Sequence, residues 1–184
     1  MENSRRIRQV PGAPNRTAGG NVYKSSNFHA RCCLHSCTVS LSLSLMSDID
    51  LTGELGQRAQ ERLSTEQLAW LTTVRPNGTP EPNPVWFLWD GSSIILRSQD
   101  NLKVRNIKAN PNVVLNFESG EGGGDILVFH GVAEIAADAV FEQVRDAYVT
   151  KYAEGIKRLG TTPEKMFASY SLTISIKPTK LRGF

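Results

Sequence analysis

The sequence after residue 45 predicts a mainly β domain, built as an antiparallel barrel with helices packed at its ends. Six segments have the composition of strands, and several follow one another through turn signals with few helices between them. A doubly wound parallel sheet would require regular alternation of strands and helices, which this order does not show. The pattern therefore favours hairpin-linked, antiparallel strands.

The domain begins with an amphipathic helix at residues 53–64. Leu55, Ala59 and Leu63 recur at a spacing of four, with charged residues between them, which predicts one buried helix face. Thr52 precedes this segment and is the expected N-cap.

Three strands are predicted next, at residues 67–74, 79–89 and 94–98. Asn77-Gly78 and Asp90-Gly91 separate them, because these residue types tolerate the backbone of tight turns. The second strand contains Pro80, Pro82 and Pro84, which cannot donate to a ladder. We therefore expect its first half at a sheet edge or a bulge.

The second half of the domain mixes helices with the remaining strands. A short helix is predicted at residues 101–109, followed by strands at 112–118 and 125–135 that flank the glycine-rich loop 119–124. A longer helix at 138–153, a short helix starting at Pro163 and a last strand at 171–177 complete the order.

Charge is unevenly distributed along the 184 residues. The formal net charge is +3, but residues 1–45 carry six basic residues and one acidic residue, so the remainder has a net charge of −2. The predicted domain therefore lacks the basic field typical of nucleic-acid-binding proteins. No apolar run approaches the roughly 20 residues of a membrane-spanning helix, so we expect no membrane partner.

Residues 1–45 are rich in Ser, Asn, Gly and Arg and show no sustained periodicity. We interpret them as a disordered or non-native extension, with Met46 as the natural start; an organelle transit peptide is an alternative. His29, Cys32, Cys33, His35 and Cys37 are too crowded for the usual paired knuckles of a zinc site, so no metal is expected. Residues 46–184 contain no Cys, which fits a cytoplasmic domain without disulfides.

Two segments could bind a cofactor. Ser98 ends a strand and Lys103 lies in the first turn of the next helix, a combination that suits a phosphate; the alternative is an ordinary solvated basic face. The proline-broken strand at residues 83–87 could offer free backbone groups and an apolar wall to a planar heterocycle; the alternative is an irregular core strand. Residues 46–184 contain no Cys-His, Ser-His-Asp or paired-carboxylate pattern, so catalytic residues are not assigned and cofactor chemistry is favoured.

Together these stretches resemble the split-barrel family of pyridoxamine 5'-phosphate oxidase-like proteins, most closely its deazaflavin (coenzyme F-420)-dependent branch. The matching residues are Trp70-Leu71-Thr72-Thr73, Gly78-Thr79-Pro80, Pro84-Val85-Trp86-Phe87, Ser98, Lys103-Val104-Arg105-Asn106-Ile107, Asn110-Pro111 and the tail at 177–184. The tail, KPTKLRGF, departs from that of the true oxidases, which argues against vitamin B6 oxidation.

The resemblance implies a six-stranded antiparallel split β-barrel of the FMN-binding kind, forming a homodimer whose two subunits line each cofactor groove. It places Ser98, Lys103, Arg105 and Asn106 at the cofactor phosphate, and Asn83, Pro84, Val85 and Trp86 along the ring system. The longer anionic tail of the deazaflavin would need extra basic residues at the mouth of the groove; Arg97 and Lys108 could serve, but the sequence does not place them there.

The implied reaction is hydride transfer between coenzyme F-420 and a small unsaturated or quinone-like substrate. One alternative is an FMN-dependent oxidoreductase, and another is a non-catalytic flavin- or deazaflavin-binding protein or carrier. Haem handling is a further alternative, for which His130 is the sole candidate ligand after Met46.

Overall fold

The computed structural model describes residues 49–184, so the expectations for the first 45 residues lie outside the described part of the chain. The helices are Glu54–Thr65 (α1), Leu102–Ala109 (α2), Asp138–Glu142 (α3), Arg145–Arg158 (α4) and Pro163–Ser169 (α5). The strands are Ala69–Val74 (β1), Pro80–Val85 (β2), Leu88–Trp89 (β3), Ile94–Ser98 (β4), Asn112–Asn116 (β5), Leu127–Ala136 (β6) and Leu172–Gly183 (β7). A short 3-10 turn, Glu121–Gly123, lies in the glycine-rich loop.

The strands form one sheet in the order β2-β1-β5-β6-β7-β4-β3, and all the neighbouring pairs are antiparallel. Only Trp86 and Phe87 separate β2 from β3 in the chain, although these strands lie at opposite ends of the sheet order. One extended segment therefore supplies both ends, and the sheet curls into a half-open barrel. The predicted strand 79–89 is split in two, which accounts for seven strands instead of six.

The prolines fit this arrangement. Pro80, Pro82 and Pro84 all lie in β2, which pairs with β1 alone. Because β2 is an edge strand in the described sheet, the missing N–H groups break no second ladder. The expectation of an edge strand is confirmed.

Two apolar clusters hold the domain together. The first fills the barrel between the inward faces of the strands and α1, and it includes Leu63, Leu71, Leu96, Phe117 and Phe129. The second lies on the other side of β4, where Ile95 meets the apolar faces of α3, α4 and α5. Since Ile94, Ile95 and Leu96 are all fully buried, β4 is covered on both faces.

Three local predictions were wrong or incomplete. Gly53 occupies the N-cap position of α1, because Thr52 directs its amide and hydroxyl hydrogens to Asp50 Oδ1. The predicted helix 138–153 is two helices, α3 and α4, since Val144 has a non-helical backbone (φ −116°, ψ 2°). The last strand continues to Gly183, past a register shift opposite His130/Gly131.

That shift explains how β7 accommodates Pro178. Gly131 pairs with Pro178 and His130 with Lys180, so Thr179 is the extra residue of a bulge. A proline at a bulge disturbs no regular ladder bond. Within residues 49–184, no helix is long and apolar enough to cross a membrane.

Candidate functional site

A cleft of about 360 Å³ lies beside the break between β2 and β3. Its walls come from the end of β2, from β4 and the first turn of α2, and from α4 and α5 with their following residues. The lining residues are Leu68, Pro84, Val85, Trp86, Arg97, Lys103, Tyr148, Leu159, Met166 and Tyr170. Cofactor sites are commonly clefts of this size with mostly apolar walls and a few polar groups.

The strand break is held by one tyrosine of α4. The Tyr152 hydroxyl accepts a hydrogen bond from Phe87 N (2.7 Å), and it lies 2.7 Å from the Phe87 carbonyl oxygen and 2.9 Å from that of Gln67. These contacts satisfy backbone groups that leave the ladder where β2 ends. Burial raises the pKa of Tyr152 well above its ordinary value, so the hydroxyl remains protonated and able to donate.

The same tyrosine orients the wall of the cleft. Its ring stacks on Trp86, with centroids 4.5 Å apart and planes 2° from parallel. Gly155, one turn further along α4, leaves room for the indole, because a Cβ at that position would lie 2.7 Å from Trp86 Cη2. The indole therefore offers a flat apolar surface in a fixed position, which suits a planar ring system.

The Lys103 ammonium enters the cleft from the first turn of α2. Its Nζ lies 3.5 Å from Ser98 Oγ, and among the described residues no carboxylate lies within ion-pair distance of it. Burial lowers the pKa of Lys103, because the half-buried cation has lost part of its hydration. A bound anion would restore the lost stabilisation, so this position suits a phosphate.

A second cation and a tyrosine hydroxyl line the cleft from the side of the helices. The Arg97 side chain is 8% exposed, bonded to Asp138 and Thr173, and stacked over Phe141 at 4.6 Å. Tyr148 also packs on Phe141, with centroids 5.4 Å apart. Its hydroxyl makes no hydrogen bond to the described residues, in contrast with that of Tyr152.

The predicted cofactor residues fall into two groups. Pro84, Val85, Trp86 and Lys103 line the cleft, and Ser98 lies directly behind Lys103 with its hydroxyl donating to Gln99 O at 2.9 Å.

The other three predicted residues lie outside the lining of the cleft. Asn83 is half-buried and donates to Glu81 O at 3.2 Å, Arg105 is exposed, and the buried Asn106 donates to Thr73 Oγ1 at 3.0 Å. Asn106 thus joins α2 to β1, a structural role that its position in the sequence does not reveal.

Tyr148, Tyr152 and Tyr170 were not predicted as site residues. Tyr148 and Tyr152 recur at helical spacing in the sequence, and a polar phenol on a buried helix face is the signal that could have identified both. Tyr170, 44% exposed, follows α5, where no pattern marked a site.

His130 does not meet the cleft. It lies on β6 in a separate depression of about 230 Å³, beside Thr72, Val114 and Thr179. Within residues 49–184, no three His, Cys, Asp or Glu side chains form a group that could hold a metal ion.

The residues around the cleft fit a cofactor with a flat ring and an anionic tail. The stacked Trp86 provides the apolar wall, and Lys103 is a cation without an acidic partner among the described residues.

Solved structures with a similar fold include proteins of several kinds. An F-420 reductase is 28% identical, with a TM-score of 0.50 over 67% of this chain and 94% of that one. A FAD-binding protein from Mesorhizobium loti shares the fold at 16% identity, with a TM-score of 0.54 over 68% of this chain and 88% of that one. The haem storage protein HutZ from Vibrio cholerae shares it at 20% identity, with a TM-score of 0.54 over 73% of this chain and 95% of that one.

No curated protein matches this chain. The family model described as pyridoxamine 5'-phosphate oxidase matches residues 55–182. Because that match spans well over half of the sequence, the chain belongs to the pyridoxamine 5'-phosphate oxidase family, whose split barrel it shares.

Proposed function

We propose that this protein is a cytoplasmic oxidoreductase that binds the deazaflavin coenzyme F-420 in the cleft beside Trp86. It transfers a hydride between that coenzyme and a small unsaturated or quinone-like substrate. The coenzyme supplies the redox chemistry, and the chain binds, orients and shields the reacting groups.

The observation that carries this proposal is the environment of Lys103. A half-buried ammonium without an acidic partner among the described residues is costly, and burial lowers its pKa. A phosphate at this position would provide the missing charge, and Ser98 and the amides at the start of α2 would assist. Arg105 and Asn106 lie on the same helix outside the cleft lining, so the proposed phosphate end consists of Lys103, Ser98 and these amides.

The ring system is proposed to lie against Trp86, along the backbone of residues 83–86. The 28% identity to an F-420 reductase supports the deazaflavin over other planar cofactors. FMN carries a ring and a phosphate of similar chemistry, so the same cleft supports an FMN-dependent enzyme as the alternative. A protein that holds either cofactor without turnover is the non-catalytic alternative.

We also propose that two copies of the chain pair through the outer face of β1, β5 and β6. Trp70 and Val132 on this face are 38% and 43% exposed, and Val114 and Val128 lie between them in register. This face continues into the cleft. Trp70 pairs with Pro84, which lines the cleft, and Leu68, two residues before Trp70, is 50% exposed in the cleft wall. A second copy placed here would complete the cofactor groove.

A binding titration of the purified full chain tests the proposal. We expect micromolar or tighter binding of the deazaflavin, followed by its fluorescence anisotropy, and weaker binding of FMN in a parallel titration. Preference for FMN would instead support the flavin alternative. Binding of neither would overturn the oxidoreductase proposal and leave the fold unaffected. Binding without turnover of any quinone or enone would favour the carrier.

Lys103→Ala tests the phosphate position. Loss of a hydrogen bond to a charged group costs about 1.5–3 kcal/mol, so Kd should rise roughly 10- to 150-fold. Lys157→Ala is the control, because Lys157 is an exposed cation in the last turn of α4 that lies outside the cleft lining. Equal Kd values in the two variants would contradict the phosphate assignment.

A further inference from the structure

A histidine lies at the border between two differently charged parts of the outer face of the sheet. His130 of β6 pairs with Val114 of β5 on one side and with Lys180 of β7 on the other. Paired residues direct their side chains to the same face of a sheet, so these three form one row. Along β6, Val128 and Val132 flank His130 on the same face. His130 therefore has apolar neighbours on three sides and a cation on the fourth.

The cation belongs to a positively charged strip on β7. Lys177, Lys180 and Arg182 are exposed and pair with Val132, His130 and Val128 in that order, so all three lie on the outer face. Among the described residues, no carboxylate lies within ion-pair distance of Lys180 or Arg182. The strip therefore runs directly beside the apolar face that we propose as the pairing surface.

Two acidic residues lie near the ends of this region. Glu134 follows His130 by four residues on β6, so its exposed side chain lies on the same face, two positions beyond Val132. Asp50 shares another depression with Lys180, and its carboxylate accepts hydrogen bonds from Thr52. Neither acid occupies the row of His130.

The remaining elements add no charge next to His130. Its row continues through Val114 to Thr72 of β1, and these three residues line one depression of about 230 Å³. Helix α2 packs on the inward side of the sheet, where Asn106 meets Thr73. A neutral His130 thus belongs to the apolar face, whereas a protonated His130 extends the positive strip into it.

We infer that protonation of His130 separates the two copies of the chain, so that the proposed dimer forms at neutral pH and dissociates in mild acid. This inference rests on the proposed pairing through β1, β5 and β6, and it adds the regulation of that pairing. Histidine is the side chain whose charge ordinarily changes between pH 5 and 8.

Two-fold symmetry doubles the effect of each proton. An isologous interface places the same patch of both copies together, so the interface gains one charge from each copy. Like charges brought together in an interface oppose association, and the strip on β7 is already positive. The separated copies therefore take up protons more readily than the dimer, and falling pH shifts the equilibrium towards them. The cofactor groove would then lose the wall that the second copy is proposed to provide.

Sedimentation velocity of the full chain over a dilution series, at pH 7.5 and at pH 5.5 with constant ionic strength, gives the Kd of the dimer. We expect this Kd to rise about tenfold or more at the lower pH. His130→Gln carries no charge at either pH, so its Kd should change less than about threefold. His130→Arg carries the charge permanently and should be monomeric at both pH values.

The double variant His29→Gln/His35→Gln is the control, because these are the other two histidines of the chain. It should keep the pH dependence of the wild type. Tryptophan fluorescence at both pH values shows whether each variant is folded. Should His130→Gln fail to fold, His130→Arg decides, since a dimer of that variant at pH 7.5 would contradict the inference.

The outcomes separate this inference from the proposals on which it rests. A wild-type Kd that is the same at both pH values, or a pH dependence that persists in His130→Gln, would overturn the role of His130 and leave the pairing standing. A monomer at pH 7.5 throughout the dilution series would overturn the pairing, and the inference with it. Failure of the chain to bind the deazaflavin would overturn the oxidoreductase proposal alone.

Discussion

Removal of one oxygen atom tests how the break between β2 and β3 is held. In Tyr152→Phe, the ring remains stacked on Trp86, but the hydroxyl that contacts Phe87 and Gln67 is lost. The Phe87 amide then becomes a donor without an acceptor in a residue with no exposed surface. A buried unsatisfied group costs about 1–3 kcal/mol, and we expect that loss in the free energy of unfolding.

Tyr148→Phe is the matched control for this substitution. Tyr148 and Tyr152 lie one turn apart on α4, both are buried, and their rings are 4.7 Å apart. The Tyr148 hydroxyl has no hydrogen bond to the described residues, so its removal should change stability little. Each variant lacks one tyrosine hydroxyl, so the difference in stability between them isolates the contribution of the Tyr152 hydrogen bonds.

Urea denaturation, followed by tryptophan fluorescence, gives the comparison. Tyr152→Phe should lower the midpoint with an unchanged slope, and Tyr148→Phe should leave both near the wild-type values. Tyr152→Phe should also weaken deazaflavin binding, because the backbone that carries Trp86 is no longer fixed. Equal stability of the two variants would refute the idea that the tyrosine holds the break.

Three further predictions concern Gly155 on α4, the half-buried cation of Lys151 and the outer face of the sheet. Gly155→Ala should weaken deazaflavin binding, because its Cβ would meet Trp86 Cη2 at 2.7 Å; unchanged affinity in the titration would contradict this. Burial lowers the pKa of Lys151 to about 8. Above that pH, Lys151 binds a proton more tightly in the unfolded chain than in the folded one. The free energy of unfolding of the wild type, relative to that of Lys151→Met, should therefore rise from about pH 8 to 10 in urea titrations. A difference in stability that does not change with pH would show that the Lys151 ammonium is well hydrated in the folded protein. Trp70→Arg should convert a dimer to a folded monomer in light scattering, since it places a charge on the proposed interface; a persistent dimer would place the interface elsewhere.

The sequence predicted the elements whose signals are local. The strand Ile94–Ser98 and the helix start at Pro163 match the prediction, because apolar runs and a proline in the first turn act within a few residues. Thr162 completes that start, since its hydroxyl accepts from the Lys165 amide. The N-cap prediction for α1 was wrong: Gly53 takes that position, and both the Thr52 amide and its hydroxyl donate to Asp50 Oδ1 in the turn before the helix.

The site was predicted less completely, because its geometry depends on contacts between distant residues. Asn106 finds its partner, Thr73, 33 residues away, and Tyr152 reaches Phe87 across 65 residues. No short stretch of sequence contains either pair, so local sequence patterns could not predict these contacts. The orientation of Arg97 could have been predicted from the sequence, because side chains alternate along a strand and consecutive residues such as Arg97 and Ser98 point to opposite faces.

The break at Trp86 and Phe87 connects the fold to the site. A continuous strand at 80–89 could not pair with β1 at one end and β4 at the other without bending, so barrel closure requires that the ladder be interrupted. Interruption frees the Phe87 amide and carbonyl, and a helix must bring a polar group to them. That helix is α4, whose Tyr152 meets these groups and stacks on Trp86, while its Tyr148 lines the cleft. The cleft therefore lies where it does because the barrel closes there, and the side chains that stabilise the closure also shape the cleft.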